Sequence, residues 1–140
     1  MTLENISKLS TAQAPQRNGI SFPAVEGMGG FFTRTQGITT ILSGLKQLLL
    51  TSKGERVMNP DFGTSLRRSV FEPFTPELKE TLTQEVTRGI AIYHPEVLIN
   101  SLEISWNESK RASGTNQIYL SLLFRVSQDL SNEHTLEVVV

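Results

Sequence analysis

Gly54-Glu55-Arg56-Val57-Met58-Asn59-Pro60-Asp61-Phe62-Gly63 lies between a long apolar helical pattern and a short basic segment, and Phe71-Glu72-Pro73 follows a few residues later. Upstream, Ile38, Ile41, Leu42, Leu45, Leu48 and Leu49 recur at helical spacing and form one apolar stripe, which predicts a helix from about Gln36 to Thr51. Gly44 lowers helix propensity inside that segment, and a close packing contact would account for it. Gly54 is suited to end the segment in a left-handed turn. Residues 54–63 then read as a loop in which Phe62 plugs the core and Gly63 permits the turn.

Downstream, Thr64 opens a short helix to about Val70, and Pro73 disfavours helical geometry at Glu72. Thr75-Pro76-Glu77 is a helix start. Thr75 can cap, Pro76 fits the first helical position, and Glu77 meets the positive end of the dipole. Leu78, Leu82, Val86, Ile90 and Tyr93 carry this helix to Pro95. The period then changes to two, with Leu102, Ile104 and Trp106, then Ile118, Leu120, Leu122, Phe124 and Val126, then Leu136, Val138 and Val140. Polar residues 107–116 join the first pair of strands and residues 129–132 the second. Helices followed by a three-stranded antiparallel meander define the α+β class, with the helices packed on a small C-terminal sheet.

The chain has 140 residues, one domain's worth. Residues 1–18 are rich in Ser, Thr, Gln and Asn and read as a flexible arm, and residues 19–140 as a single domain. Residues 19–35 hold Pro23, Gly27, Gly29 and Gly30 and read as irregular or short-strand backbone. A formal net charge of −1 argues against nucleic acid as the main partner. The absence of cysteine excludes disulfides and thiolate chemistry. No segment has the apolar run of a membrane helix, and the N-terminus lacks the apolar core of a secretory signal, so the cytoplasm or a particle assembled there is the expected location.

The Gly54–Gly63 loop with Phe71-Glu72-Pro73 resembles the signature of the baseplate-wedge family of contractile tails. That family includes the sheath initiators of contractile phages and their counterparts in bacterial injection machines. The resemblance begins near Gly19-Ile20-Ser21-Phe22-Pro23, runs through Gly29-Gly30 and the first helix, and fades in the C-terminal third. It implies a gene-product-25-like fold and a structural role. It also implies that the wedge-docking residues are Glu55, Arg56, Asp61, Phe62, Arg67, Arg68, Glu72, Pro73 and Phe74. In the family an arginine often follows the acidic residue and proline, where this chain has Phe74. Arg67 or Arg68 would then substitute for that charge, or Phe74 would replace it with an apolar anchor. The expected partners are the core-bundle proteins of the wedge, the contractile sheath protein, and tube or hub proteins, with about six copies per symmetric baseplate. The last strands, with Ile118, Leu120, Leu122, Leu136, Val138 and Val140, are expected to exchange strands with the first sheath ring, since an unpaired strand edge is a template for another.

Other readings stay open from the residues. Glu55, Asp61 and Glu72 could supply a carboxylate pair for cleaving a cell-wall glycan. The chain could also be a free regulatory binding module, because an anti-adaptor of bacterial proteolysis is thought to share this fold. His94 and His134 have no metal-ligand spacing, no serine sits in a nucleophile elbow, and the glycines make neither a dinucleotide nor a phosphate-loop fingerprint. Neither a cofactor nor a metal is expected.

Overall fold

The computed structural model describes residues 18–22, 34–106, 117–127 and 129–140. A short antiparallel ribbon, β1 (Asn18–Ile20) with β2 (Arg34–Gln36), leads into α1 (Ile38–Leu50). Asn18, the last residue of the expected arm, pairs with Gln36. Residues 1–17, the double glycine Gly29-Gly30 and the 107–116 connection lie outside the described residues.

The first helix starts two residues later than its periodicity suggests. Gly37 takes φ 59° and ψ −131°, a backbone open only to glycine, and so breaks the chain cleanly between β2 and α1. The apolar stripe behaves as expected, with Ile41, Leu45, Leu48 and Leu49 buried. Gly44 is a packing notch: a Cβ there would sit 2.6 Å from Cε1 of His94, the residue capping the end of α3 (Pro76–Tyr93). Glycine at this position lets α1 and the C-terminal end of α3 approach closely.

Between them, α2 (Leu66–Ser69) is a single turn anchored by the fully buried Leu66. The start of α3 is the expected one, since Thr75 accepts a bond from the Leu78 N–H at 3.2 Å and Pro76 occupies the first turn. Leu82, Val86 and Ile90 form its buried face.

The sheet runs β3 (Val97–Trp106), β4 (Ile118–Val126), β5 (Asp129–Val139), all antiparallel, with β4 in the centre. On β4, burial alternates without a break from Ile118 to Val126, as expected for a strand with one face on the helices. Ile104, Leu120, Leu122, Phe124 and Leu136 meet Leu45, Leu48, Leu82 and Val86 in one continuous core.

Two irregularities modify the meander. Asn100 is an extra residue on β3 between the Ile99–Phe124 and Ser101–Leu123 pairs, and its side chain donates to Glu133 at 3.0 Å. Residues 129–132, expected as a connection, are strand. The true turn is shorter, and the surplus appears as a bulge, because Arg125 pairs with Glu133 and Val126 with Asp129.

Candidate functional site

The loop after α1 is held at both ends and in the middle. At its neck the Thr64 N–H donates to the Thr51 carbonyl at 2.9 Å, with a parallel bridge between Ser52 and Thr64. The buried Thr64 hydroxyl donates to the Leu49 carbonyl, also at 2.9 Å. Gly63 makes this neck possible. Its φ is 114°, and a Cβ would lie 2.4 Å from the Thr51 oxygen. Gly54, at φ 84°, turns the other strand of the neck and donates to the Pro60 carbonyl at 2.8 Å. Glu55 folds back so that its Oε2 accepts from the Ser52 N–H at 2.9 Å. Phe62 is buried edge-on to Tyr93, with ring centroids 4.9 Å apart, and the Arg56 guanidinium lies 3.8 Å above the Phe62 ring.

Glu85 on α3 is the outside brace, and sequence reasoning missed it. Its carboxylate accepts from both the backbone N–H and the hydroxyl of Ser65, just past the loop, and pairs with Lys53, just before it. One side chain thus ties both flanks of the loop to α3. Burial acts to raise the Glu85 pKa, but the bonds to Lys53 and Ser65 outweigh it and hold the carboxyl below its ordinary value. The only trace in the sequence is that Glu85 adjoins Val86 of the buried stripe.

The tip of the loop presents apolar side chains to solvent. Val57 and Met58 at its tip are 94 % and 95 % exposed, and Phe71 is 86 % exposed. None of the three was among the expected docking residues, although Phe71 belongs to the Phe71-Glu72-Pro73 motif. Glu72 and Pro73 are exposed beside Phe71, as are Arg67 and Arg68 on α2. Phe74 leans on Trp106 with ring centroids 3.8 Å apart, which fixes the corner to the end of β3. The expected docking residues therefore divide. Phe62 is a core side chain, and Arg56 and Glu55 spend part of their bonding inside the loop. Asp61, Arg67, Arg68, Glu72 and Pro73 face solvent.

Clefts lie on both sides of the loop. One, of about 710 Å³, brings Glu55, Arg56 and Arg67 together beside Leu50, Phe22 and the last residues of the chain, Val139 and Val140. The other, of about 430 Å³, gathers Asp61, Glu85, Lys53 and Arg88 beside Tyr93. Glu72 lines neither. The carboxylates weighed for glycan cleavage are thus distributed over three places. Glu85, which does share a cleft with Asp61, is shifted downward, opposite to the raised value a general acid needs.

The strand residues expected to meet a partner also divide. Ile118, Leu120 and Leu122 lie on the central strand, with their side chains in the core and paired strands on both sides, so they offer no edge. Leu136 and Val138 also point into the core. The sheet has two outer margins, on β3 and on β5, and the expected residues of the last strand lie along the β5 one. Ile118 and Val140 exchange both hydrogen bonds, at 2.9 and 3.0 Å. This fixes the phase of the ladder: Leu136 and Val138 bond to β4, whereas the N–H and C=O groups of Thr135, Glu137 and Val139 point away from it. Among the described residues no strand pairs with that side.

These features define the class, an α+β fold in which helices cover one face of a three-stranded antiparallel sheet, with a braced loop and with outer strands that are unpaired among the described residues. The chain belongs to the baseplate wedge protein gp25 family, whose model matches residues 35–134. The match covers β3 and β4 and ends inside β5 at residue 134, past the point where recognisable motifs fade. The chain is 29 % identical over 65 residues to baseplate wedge protein gp25 of Enterobacteria phage T4, covering 46 % of this chain and 49 % of that protein. It thus spans about half the length of the curated relative it matches. The fold is similar to that of a Geobacter sulfurreducens protein named as a tail lysozyme, with TM-score 0.56, 23 % identity, and coverage of 71 % of this chain and 86 % of that one. It is also similar to a chain of the 6-fold symmetrised baseplate of the anti-feeding prophage, with TM-score 0.59, 19 % identity, and coverage of 89 % and 84 %.

Proposed function

We propose that this chain is a structural component of a contractile-tail baseplate wedge that docks on the core-bundle proteins and starts the sheath. The observation that carries the proposal is that the family match at 35–134 spans the residues building the braced loop, the exposed corner and most of the open-edged sheet. The docking face consists of the Val57-Met58 tip, Phe71, and Glu72-Pro73, with Arg67 and Arg68 beside it. Burying an exposed side chain of this size contributes roughly 1.5–3 kcal/mol, so three such residues, two of them on a pre-formed loop, supply a substantial part of a stable contact. Arg67 and Arg68 provide the charge that the family arginine would carry, and Phe74 serves as an internal prop against Trp106.

The outer edge of β5 supplies the sheath contact. The outward backbone of Thr135, Glu137 and Val139 receives a strand from the first sheath ring, so that the polymer starts in register with the wedge. Leu136, Val138 and Val140 hold that edge in place from beneath. By likeness to the 6-fold baseplate, six copies would stand around the tube, near tube or hub proteins, in a phage tail or an injection particle. The scattered carboxylates favour this scaffold role over glycan hydrolysis.

The test is a Glu72→Ala/Pro73→Ala chain supplied in place of the wild type during tail assembly. Both side chains are exposed, so the free domain should keep its melting temperature. Sedimentation should find it outside tail particles, whereas normal incorporation would refute docking through this corner.

A further inference from the structure

The cleft beside Arg56 and Arg67 opens where the free edge of β5 ends. Its apolar wall is Leu50, Phe22 and Val140, and its polar wall is the two guanidiniums with Glu55. Glu55 already accepts the Ser52 N–H, and Arg56 is stacked on Phe62. Among the described residues neither arginine forms an ion pair within the fold. The cleft therefore presents two guanidiniums against one carboxylate, a net positive wall, at the end of a strand edge that is unpaired among the described residues.

We infer that the cleft is the specificity pocket for the strand that adds to β5. Its occupant is an extended segment carrying an apolar residue and, at the next position on the same face, an Asp or Glu. The inference rests on the strand-addition proposal above and adds to it the chemistry of the incoming segment.

Alternate residues of an added strand face the helix side of the sheet, about 7 Å apart. One such side chain reaches Leu50 and Val140, and the next reaches Arg56 and Arg67. Backbone bonds to Glu137 and Val139 are blind to sequence, so a strand edge alone accepts any extended peptide. A carboxylate held between two guanidiniums supplies the discrimination, and two charge-assisted donors favour it over the neutral amide of the same shape. The stacking of Arg56 on Phe62 pre-positions one of those donors, so less freedom is lost on binding.

The test is calorimetric titration of the full chain with capped ten-residue peptides of alternating valine and threonine. A single glutamate is moved through successive positions, and each peptide is matched by its glutamine counterpart. At one register the glutamate peptide should bind about tenfold more tightly than its counterpart. Arg67→Glu should remove that preference, and Val139→Pro, which takes one outward donor from the edge without touching the β4 ladder, should weaken every peptide. If glutamate and glutamine peptides bind equally at all positions while Val139→Pro weakens both, the pocket is refuted and strand addition stands. A glutamate preference indifferent to Val139→Pro also overturns the inference, because the cleft would not then continue the edge. If no peptide binds, both proposals fall.

Discussion

Replacing Glu85 by alanine should loosen the loop without touching any core side chain. The carboxylate accepts from the Ser65 N–H and hydroxyl and pairs with Lys53. A hydrogen bond to a charged group is worth about 1.5–3 kcal/mol net. The Glu85 side chain is 15 % exposed but that of Lys53 is 51 % exposed, so solvent screens the ion pair to roughly 0.5 kcal/mol. Together these give a loss of about 2–3 kcal/mol for Glu85→Ala, a fall in Tm of about 8 °C. Glu85→Gln keeps an acceptor and should lose about 1 kcal/mol.

The pH dependence is the sharper part. The folded carboxyl is held below its ordinary value, so its charge stabilises the fold above that value, and the contribution is lost as pH falls through the folded pKa. Urea melts of wild type and Glu85→Ala should therefore differ fully at pH 7, and the difference should begin to shrink as pH falls below the ordinary glutamate value and be lost only below the folded one. Exposed Glu80, which among the described residues bonds to Gln84 at 3.3 Å on the same helix, is the control, and Glu80→Ala should change stability by less than about 0.5 kcal/mol. A difference at pH 7 below 0.5 kcal/mol, or one equally large at acid pH, would refute the brace.

Other substitutions probe the remaining geometry. Gly63→Ala forces a Cβ to 2.4 Å from the Thr51 oxygen at a φ of 114°, and should cost about 3 kcal/mol or more in chemical denaturation. Gly44→Ala would gain about 1 kcal/mol of helix propensity in isolation, but here it should destabilise, because the new methyl meets the His94 ring at 2.6 Å. The same change in a His94→Ala background should recover that gain, which a double-mutant cycle reads directly. Val57→Ser with Met58→Ser should leave stability within about 0.5 kcal/mol, since both side chains are in water, yet lower the fraction of chain found in tail particles.

The parts visible in the sequence are those governed by periodicity and caps. Leu45, Leu48, Leu82 and Val86 announced their helices, Thr75-Pro76 marked a start that the structure keeps, and alternation from Ile118 to Val126 predicted the central strand. Three kinds of feature were hidden. Glu85 carries no local signal, because its partners Lys53 and Ser65 are distant in sequence and meet it only after folding. Gly37 looked like part of a helix because its apolar neighbours keep helical spacing, and only its backbone angles show the break. The exposed Val57 and Met58 read as ordinary apolar residues, since sequence records hydrophobicity but not the side of the loop on which it lies. The same limit applies to the sheet. Alternation identified Ile118, Leu120 and Leu122 as strand residues, but strand order decides which strand has an edge, and it made theirs the central one.

Amide hydrogen exchange on β5, compared between the free chain and purified tail particles, bears most directly on the adaptor role. In the free chain the Thr135, Glu137 and Val139 amides should exchange much faster than those of Leu136 and Val138, whose bonds go to β4. In particles all five should be protected. Protection of the alternate three in the free chain, or their continued fast exchange in the particle, would contradict the claim that this edge is where the sheath begins.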